Sequence, residues 1–457
     1  MADFGALSSL GLGSQGALNY DIIDKLKKAD ESALVKPIEN KIDLDKKRED
    51  SLSQLTTQLS LLKSDASTLS YDNIYLKVST DISGSSATAT VQDGVSSQTI
   101  SLDVTNIATN DVKESNSFSS KDSTFTSGAD TLKFELASGY NFSISVDGNT
   151  KLSDLADQIN NNSNGKITAS ILNVGGTTPY KLIIKSTDTG ADNAITVSST
   201  GGGTAADDLN LTTVGSGAQD ANFTYNGVSI TRSSNDISDL INGVDIKLID
   251  SGKTTIKISQ DTDSIKDTVK SFIENYNTLV DNLKELTKYN PKTKETGIFQ
   301  NVSQVRDIKN ELNNIIFNFD SSGHSLSEFG ITLNSADHLE LDESTLDNKL
   351  QSNPKSVQDF FKGGTTTHPD DGLFVQLNDS LSSLFMDPNS QLKLYKNYLD
   401  GQIRDLETQK DTQAKKLDDK YQILAKKFAA YDRIIATFNA QSQSLQMQIQ
   451  GFLNNKK

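Results

Sequence analysis

The sequence predicts a multidomain α+β protein in which terminal coiled-coil helices and a helical domain form a stalk with inserted antiparallel β-rich head domains. Residues 17–83 contain no glycine and residues 389–450 contain only Gly401, so both terminal regions are suited to long helices. Residues 84–252 hold 17 of the 29 glycines, and their apolar residues alternate as in half-buried strands. Helical spacing resumes after residue 262, which places the β-rich region inside a helical framework.

The N-terminal region is predicted to begin as a flexible leg, residues 1–42, because four glycines within residues 1–16 oppose a stable helix. A helix over residues 20–29 then places apolar side chains on one face, and Pro37 predicts a break or a new helix start. Residues 43–77 are the predicted N-terminal coiled-coil segment. Its seam has apolar residues three and four positions apart: Leu52, Leu55, Leu59, Leu62, Ala66 and Leu69.

The middle of the chain is predicted to form two β domains, an inner one from residues 78–115 and 215–260 and an outer one from residues 116–214. A strand–helix–strand motif spans residues 142–171, and Asn226-Gly227 predicts a hairpin. Residues 244–248 and 254–258 are expected to pair with each other through a turn at Ser251-Gly252. The glycine-rich residues 201–217 are expected to be a surface loop.

The C-terminal part is predicted to contain a helical stalk domain, residues 261–388, and a coiled-coil helix with a leg, residues 389–457. Within the stalk domain we expect helices from residue 263 and over 302–319, a small hairpin over 330–341 and a helix start at Asn353-Pro354. The last helix should begin at about Gln391. Its seam spacing changes over residues 406–417, so its distal part is expected to pack differently from its proximal part.

Composition excludes several classes of protein. The net charge of −16 disfavours nucleic acid as a partner, because phosphate binding needs clustered basic residues. The chain has no cysteine, which removes disulfides and thiolate metal sites. No segment has the length and apolarity of a membrane span, and the first residues do not have the pattern of a Sec signal peptide. We therefore expect no membrane partner and no Sec-dependent export.

No enzyme site is predicted. The three histidines, at positions 324, 338 and 368, do not have the spacing of metal ligands. Asp261 and Asp263 precede a predicted helix, where acidic residues commonly act as caps. The glycine run at 201–203 is not followed by the Lys-Ser/Thr of a phosphate-binding loop. Catalytic residues, cofactors and metals are accordingly expected to be absent.

Several motifs are similar to those of the flagellar hook-associated protein 2 family, which includes flagellar filament cap proteins. The N-terminal block comprises Gly11–Ser14, Ile22–Leu26 and Pro37-Ile38, and departs from the family pattern at residues 15–19. Asp154–Asn160 with Ile167–Ser170 resembles a motif of flagellins and hook proteins. More specific are Asn235–Val244, Phe272–Asn277, Gly330-Ile331 with Leu339–Glu343, and Asn353-Pro354. The chain resembles this family over essentially its whole length.

The resemblance implies a non-enzymatic capping protein at the distal tip of the bacterial flagellar filament, outside the cell. It implies a homo-oligomer, expected to be a pentamer, which promotes folding and insertion of exported flagellin and prevents its leakage. The other implied partners are the hook–filament junction protein and a cytoplasmic export chaperone that holds the C-terminal stripe. Export would use the flagellar type III system.

Residues on the terminal helices are expected to contact other subunits or the filament, because apolar seams need a covering surface. These candidates are Ile22, Ile23, Leu26, Leu52, Leu55, Leu59, Leu62, Leu424, Phe428, Tyr431, Ile435, Phe438, Leu445, Ile449 and Phe452. The pattern leaves open whether the C-terminal stripe pairs within the chain or with filament subunits. Two other functions also remain open: an adhesin whose head binds host glycans or mucin, and another flagellar axial protein such as a junction protein or flagellin variant.

Overall fold

The computed structural model describes residues 20–317, 323–364 and 372–454. Four features of the sequence predictions lie outside the described residues: residues 1–19 of the predicted leg 1–42, the end of the second predicted helix at Phe319, His368 and the side chain of Phe452. The chain divides into two compact units. We call Met1–Tyr71 with Lys266–Lys457 the helical unit, and Asp72–Ile265 the β unit.

Within the described residues, helices account for most of the helical unit. In chain order the α-helices are α1 (Tyr20–Leu34), α2 (Lys36–Ser70), α3 (Asp72–Leu76), α4 (Leu152–Asn162), α5 (Ala205–Leu209), α6 (Thr262–Thr287), α7 (Ser303–Ile316), α8 (Glu343–Ser352), α9 (Pro354–Lys362), α10 (Leu373–Leu381) and α11 (Gln391–Asn454). The predicted second helix, expected over 302–319, ends as an α-helix at Ile316. Short 3₁₀ segments occur at Ala191–Asn193 and Leu326–Phe329, and Ser382–Met386 forms a π-helical turn.

The helical unit is organised around α2. Its predicted seam is fully buried, and α2 packs against α10 and the proximal part of α11. Pro37 lies in the first turn of α2 and separates it from α1, as the sequence predicts. Aromatic side chains complete the core, where the Phe374 ring meets the rings of Phe272 and Phe361 edge to face at 5.0 and 4.9 Å.

Side-chain caps fix two of the helix starts that the sequence predicts. Asp261 accepts a hydrogen bond from the Ser264 N–H at 3.1 Å, which confirms the predicted acidic cap at the start of α6. Asn353 accepts one from the Ser356 N–H at 3.3 Å, with Pro354 in the first turn of α9.

The strands belong almost entirely to the β unit. They are β1 (Val78–Gly84), β2 (Ala87–Val91), β3 (Gln98–Asn106), β4 (Val112–Glu114), β5 (Asp130–Leu136), β6 (Asn141–Val146), β7 (Ile167–Asn173), β8 (Tyr180–Ser186), β9 (Ile195–Ser199), β10 (Thr212–Thr213), β11 (Ala221–Tyr225), β12 (Val228–Arg232), β13 (Asp236–Ile241), β14 (Val244–Leu248), β15 (Gly252–Gln260), β16 (Ile331–Leu333) and β17 (Leu339–Leu341). All pairings are antiparallel, which confirms the predicted α+β class, and β16–β17 is the predicted small hairpin of the helical unit.

Two sheets of the β unit share one apolar core, and we call them the inner β domain. Their strand orders are β1-β15-β3-β11-β12 and β13-β14-β2. The predicted hairpin at Asn226-Gly227 is confirmed: both residues have positive φ, 47° and 84°, and Tyr225 pairs with Val228.

The predicted pairing of residues 244–248 with 254–258 is wrong. β14 pairs with β13 and β2, whereas β15 pairs with β1 and β3 in the other sheet. The chain changes sheets at the intervening residues, where the N–H groups of Ile249 and Asp250 both donate to the Ser86 carbonyl at 2.8 and 3.3 Å. Apolar and polar residues alternate in both strands because each strand has one face on the shared core. This alternation therefore does not identify the strands with which β14 and β15 pair.

A second core lies in the outer β domain, formed by the sheets β10-β4-β8-β7 and β6-β5-β9 with α4 and α5. The prediction that residues 201–217 form only a surface loop is wrong, because α5 and β10 lie within them and Leu209 is fully buried. The Asp130 carboxylate organises this segment by accepting hydrogen bonds from the N–H groups of Gly201, Gly203 and Ala205 at 3.1, 3.3 and 3.1 Å.

Candidate assembly interface

The proximal seam of the terminal helices is covered within the chain. Leu52, Leu55, Leu59 and Leu62 expose at most 2% of their surface, because α10 and α11 pack over them. In the helical unit these four candidates therefore act as core residues.

A smaller apolar cluster joins α1 to the distal part of α11. Ile23, Val35, Leu417, Tyr421 and Ala425 are buried there. Leu424 and Phe428, two of the predicted contact residues, are half-buried against the same cluster. The two parts of α11 thus pack against different helices, α2 and α1, on either side of the predicted change in seam spacing.

Ion pairs on both sides of this cluster fix how α1 lies on α11. Lys27 Nζ lies 2.5 Å from Asp418 Oδ1, and Lys420 Nζ lies 2.7 Å from Asp30 Oδ2. The Tyr421 hydroxyl also donates to Asp30 Oδ2 at 2.9 Å. The hydrogen bonds from Lys420 and then Tyr421 hold the pKa of the Asp30 carboxyl below its ordinary value. The hydrogen bond to Asp418 raises the pKa of Lys27.

Sequence reasoning missed these charged partners and their continuation along α2. Lys46 Nζ lies 2.9 Å from Glu407 Oε1, and Lys396 Nζ lies 3.0 Å from Glu49 Oε1. From α1 to α2 the partner on α11 moves toward its N-terminus, from residues 418 and 420 through Glu407 to Lys396, which is the register of an antiparallel pair. The sequence does show opposite charges on the helices that pair. It could not predict these ion pairs, because many other registers of the same helices also bring opposite charges together.

Beyond Phe428, α11 presents an apolar stripe that the described residues do not cover. Tyr431, Phe438, Leu445 and Ile449 each expose between 54% and 67% of their surface, and Ile435 is half-buried. Residues 434–455 include no charged residue. A long apolar surface with no charges is typical of a helix that binds another protein surface.

The start of α1 also carries uncovered apolar side chains. Ile22 and Leu26 expose 52% and 47% of their surface, whereas Ile23 between them is buried in the cluster with Tyr421. The structure therefore separates the predicted contact residues into a buried proximal set, an intermediate cluster and an exposed distal set.

Histidine and acidic side chains of the described residues are not grouped as metal ligands. Among them, no group of three His, Asp or Glu side chains is placed to hold a metal ion. His338 Nε2 lies 2.7 Å from Asp281 Oδ1 on α6, in a contact that ties the β16–β17 hairpin to that helix. None of the described helices is long and apolar enough to span a bilayer.

Comparison with known proteins gives matches in both units. Residues 218–440 match the family model for the C-terminus of flagellar hook-associated protein 2, residues 16–111 match the model for its N-terminus, and residues 131–188 match the flagellin hook IN motif.

Curated relatives match over most of the chain. Flagellar hook-associated protein 2 of Helicobacter pylori strain J99 is 25% identical, over 97% of this chain and 98% of its own length. The Campylobacter jejuni protein of the same name is 31% identical, over 79% of this chain and 65% of its own length. Among solved structures, the D1-D2-D3 domains of the flagellar cap protein FliD from Escherichia coli match with a TM-score of 0.52 and 26% identity, covering 76% of this chain and 99% of that chain.

Proposed function

Because this chain belongs to the flagellar hook-associated protein 2 family, we propose that it is a non-enzymatic cap at the distal tip of the bacterial flagellar filament. The proposal includes the finer role: the cap promotes folding and insertion of exported flagellin subunits and prevents their leakage. It acts outside the cell as a homo-oligomer, for which we propose five subunits, after export through the flagellar type III system.

The observation that best supports this function is the contrast between the two parts of the terminal seam. The proximal part is closed within the helical unit, but the end of α11 beyond Phe428 presents an exposed apolar stripe, and residues 434–455 carry no charge. A helix with this surface gains free energy by docking on a protein partner, at about 25 cal/mol for each Å² of apolar surface removed from water. We propose that this partner surface belongs to flagellin or the junction protein at the filament end.

The same stripe is proposed to bind the cytoplasmic export chaperone before assembly, because an uncharged apolar helix needs cover before it reaches the filament. Residues 1–42 are accordingly the proposed N-terminal leg, and residues 389–457 are the proposed coiled-coil helix with the C-terminal leg. Ile22, Leu26 and the exposed α11 residues are their proposed contacts.

Charge placed on the stripe tests the proposal without disturbing a core. Phe438→Glu and Leu445→Glu each put a carboxylate on the exposed apolar face, and Gln443→Glu and Gln450→Glu are matched controls away from that face on the same helix. In cells lacking the native copy, the two stripe variants should give short filaments and soluble flagellin in the medium, while the controls support normal filaments. Normal filaments with both stripe variants would contradict the proposal.

Deletion of residues 1–16 together with 440–457 is a stronger form of this test. The β unit should keep its exchange-protected amides, but filament growth should stop. Labelled protein should occur only at filament tips, which distinguishes a cap from a flagellin variant distributed along the filament.

A further inference from the structure

Asn160 closes a backbone edge in the outer β domain. Its Nδ2 donates to the Ala169 carbonyl oxygen at 2.9 Å, and its Oδ1 accepts from the Ala169 N–H at 2.8 Å. One primary amide thus satisfies one backbone donor and one backbone acceptor, as a neighbouring strand would.

The strand that Asn160 contacts is the last in its sheet. In the order β10-β4-β8-β7, strand β7 has β8 on one side only. Peptide groups alternate in direction along an antiparallel strand, so the group of Ile171 points to the same free side as that of Ala169. Helix α4 packs on β7 through Leu155 and Ile159, and this packing places Asn160 at the free edge.

The sequence of β7 lacks the usual protection of an edge strand. Its sequence, Ile-Thr-Ala-Ser-Ile-Leu-Asn, contains no charged residue and no proline, which are the common devices against edge-to-edge pairing. Three of its residues are β-branched, and Leu172 exposes 52% of its surface. Two such edges from different copies would meet without charge repulsion, so the strand is well suited to pair with itself.

The same amide geometry occurs at two other places. Asn235 accepts from the Ala108 N–H at 2.7 Å and donates to its carbonyl at 2.8 Å. Asn277 of α6 does the same to Leu339 of β17, at 2.7 and 2.9 Å. Because each asparagine binds both backbone groups of one residue outside its own helix or loop, the repetition indicates a specific structural role rather than an incidental contact.

We propose that Asn160 blocks strand addition at β7, so that outer β domains of neighbouring copies do not join edge to edge. The strand that Asn160 keeps from pairing with β7 is the β7 strand of a second copy of this chain. This inference is independent of which surface contacts the filament, and its failure would leave the proposed capping function untouched.

The test uses the full-length chain and its natural lack of cysteine. Ser170→Cys supplies a single exposed reporter beside the edge, and disulfide-linked dimer is measured after mild oxidation. Asn160→Ala should raise the dimer fraction severalfold. The matched control is Asn162→Ala, since Asn162 only donates to Gln158 within α4, at 2.8 Å. Equal crosslinking in the Asn160→Ala and Asn162→Ala backgrounds would overturn the proposal.

A second variant separates edge pairing from simple unfolding. Leu172→Lys adds a positive charge beside the edge, which should oppose pairing of two β7 strands. Added to the Ser170→Cys, Asn160→Ala chain, it should lower the dimer fraction to that of Ser170→Cys alone. Crosslinking that persists with Leu172→Lys would overturn the proposal, because partial unfolding would then be its cause. Exchange of the Ala169 amide should be about fivefold faster in Asn160→Ala, as expected for one lost hydrogen bond.

Discussion

The Thr254 hydroxyl lies 2.7 Å from the Ser86 hydroxyl and accepts the Ser86 N–H at 3.0 Å, across 168 residues of sequence. Both side chains are buried. They meet where β1 leads into β2 and β14 leads into β15, which are two of the points at which the chain changes between the sheets of the inner β domain. This pair therefore fixes both crossings at once.

Thr254→Val should destabilise the β unit by about 1–3 kcal/mol, because valine keeps the shape but leaves the buried Ser86 groups without a partner. Thr255→Val is the matched control, since Thr255 is exposed on the same strand. Urea denaturation of the two variants measures the difference. Equal midpoints would show that the hydroxyl pair is not a stabilising contact.

Low pH should lower the stability of the outer β domain, because the Asp130 carboxylate becomes protonated. A hydrogen bond with the Ser199 side chain, followed by backbone N–H donors, lowers the pKa of Asp130 from 3.8 to about 2. A depressed carboxyl pKa contributes stability that is fully present above about pH 4 and is lost as the pH falls towards 2. Amide exchange of α5 should increase over this window in the native chain.

Asp130→Asn should remove that acid-dependent step and increase α5 exchange already at neutral pH, because an amide nitrogen would face backbone donors. The exposed Asp192→Asn serves as the control. An unchanged acid profile in Asp130→Asn would assign the acid response to another carboxyl group.

Gly203 is required by its close approach to Asp130. A Cβ on Gly203 would lie 2.8 Å from the Asp130 Cβ, whereas a Cβ on Gly128 would meet nothing within 4 Å. Gly203→Ala should destabilise the outer β domain by about 1–3 kcal/mol, as for other overpacked sites. Gly128→Ala should leave its stability unchanged or raise it by up to about 1 kcal/mol. Thermal unfolding of both variants tests this, and equal melting temperatures would contradict it.

Leu59 and Leu61 provide a paired test of the α2 seam. Leu59 is fully buried and Leu61 is 50% exposed. Leu59→Ala should cost about 2–5 kcal/mol of unfolding free energy in the helical unit, whereas Leu61→Ala should change it by less than about 0.5 kcal/mol. Chemical denaturation followed by helical circular dichroism gives both values. A large effect at Leu61 would instead indicate that this face of α2 is covered by another subunit.

Local sequence patterns were sufficient to predict many of the helices and turns of the fold. The spacing of Leu52 to Leu69 predicts the buried face of α2, Asn226-Gly227 predicts its hairpin and Asn353-Pro354 predicts the start of α9. In each of these cases the signal lies within a few residues of the structure that it specifies.

Long-range contacts decided the features that sequence reasoning missed. Helix α5 forms in a glycine-rich segment because Asp130, 75 residues before Ala205, binds its first turn. β14 and β15 have the same alternation of apolar and polar residues although they belong to different sheets. The apolar spacing of α11 is similar before and after Phe428, so the sequence could not tell which seam residues the chain itself covers.

Site-specific crosslinking from the exposed end of α11 tests the central claim most directly. Ser442→Cys in the cysteine-free chain places one reporter on the apolar stripe, four residues after Phe438 and three before Leu445, and Lys416→Cys places a control between the two packed parts of α11. With filaments grown in cells lacking the native copy, position 442 should crosslink to flagellin or the junction protein at the tip and position 416 should not. Tip-bound protein that crosslinks to neither partner from position 442 would contradict the proposed contact.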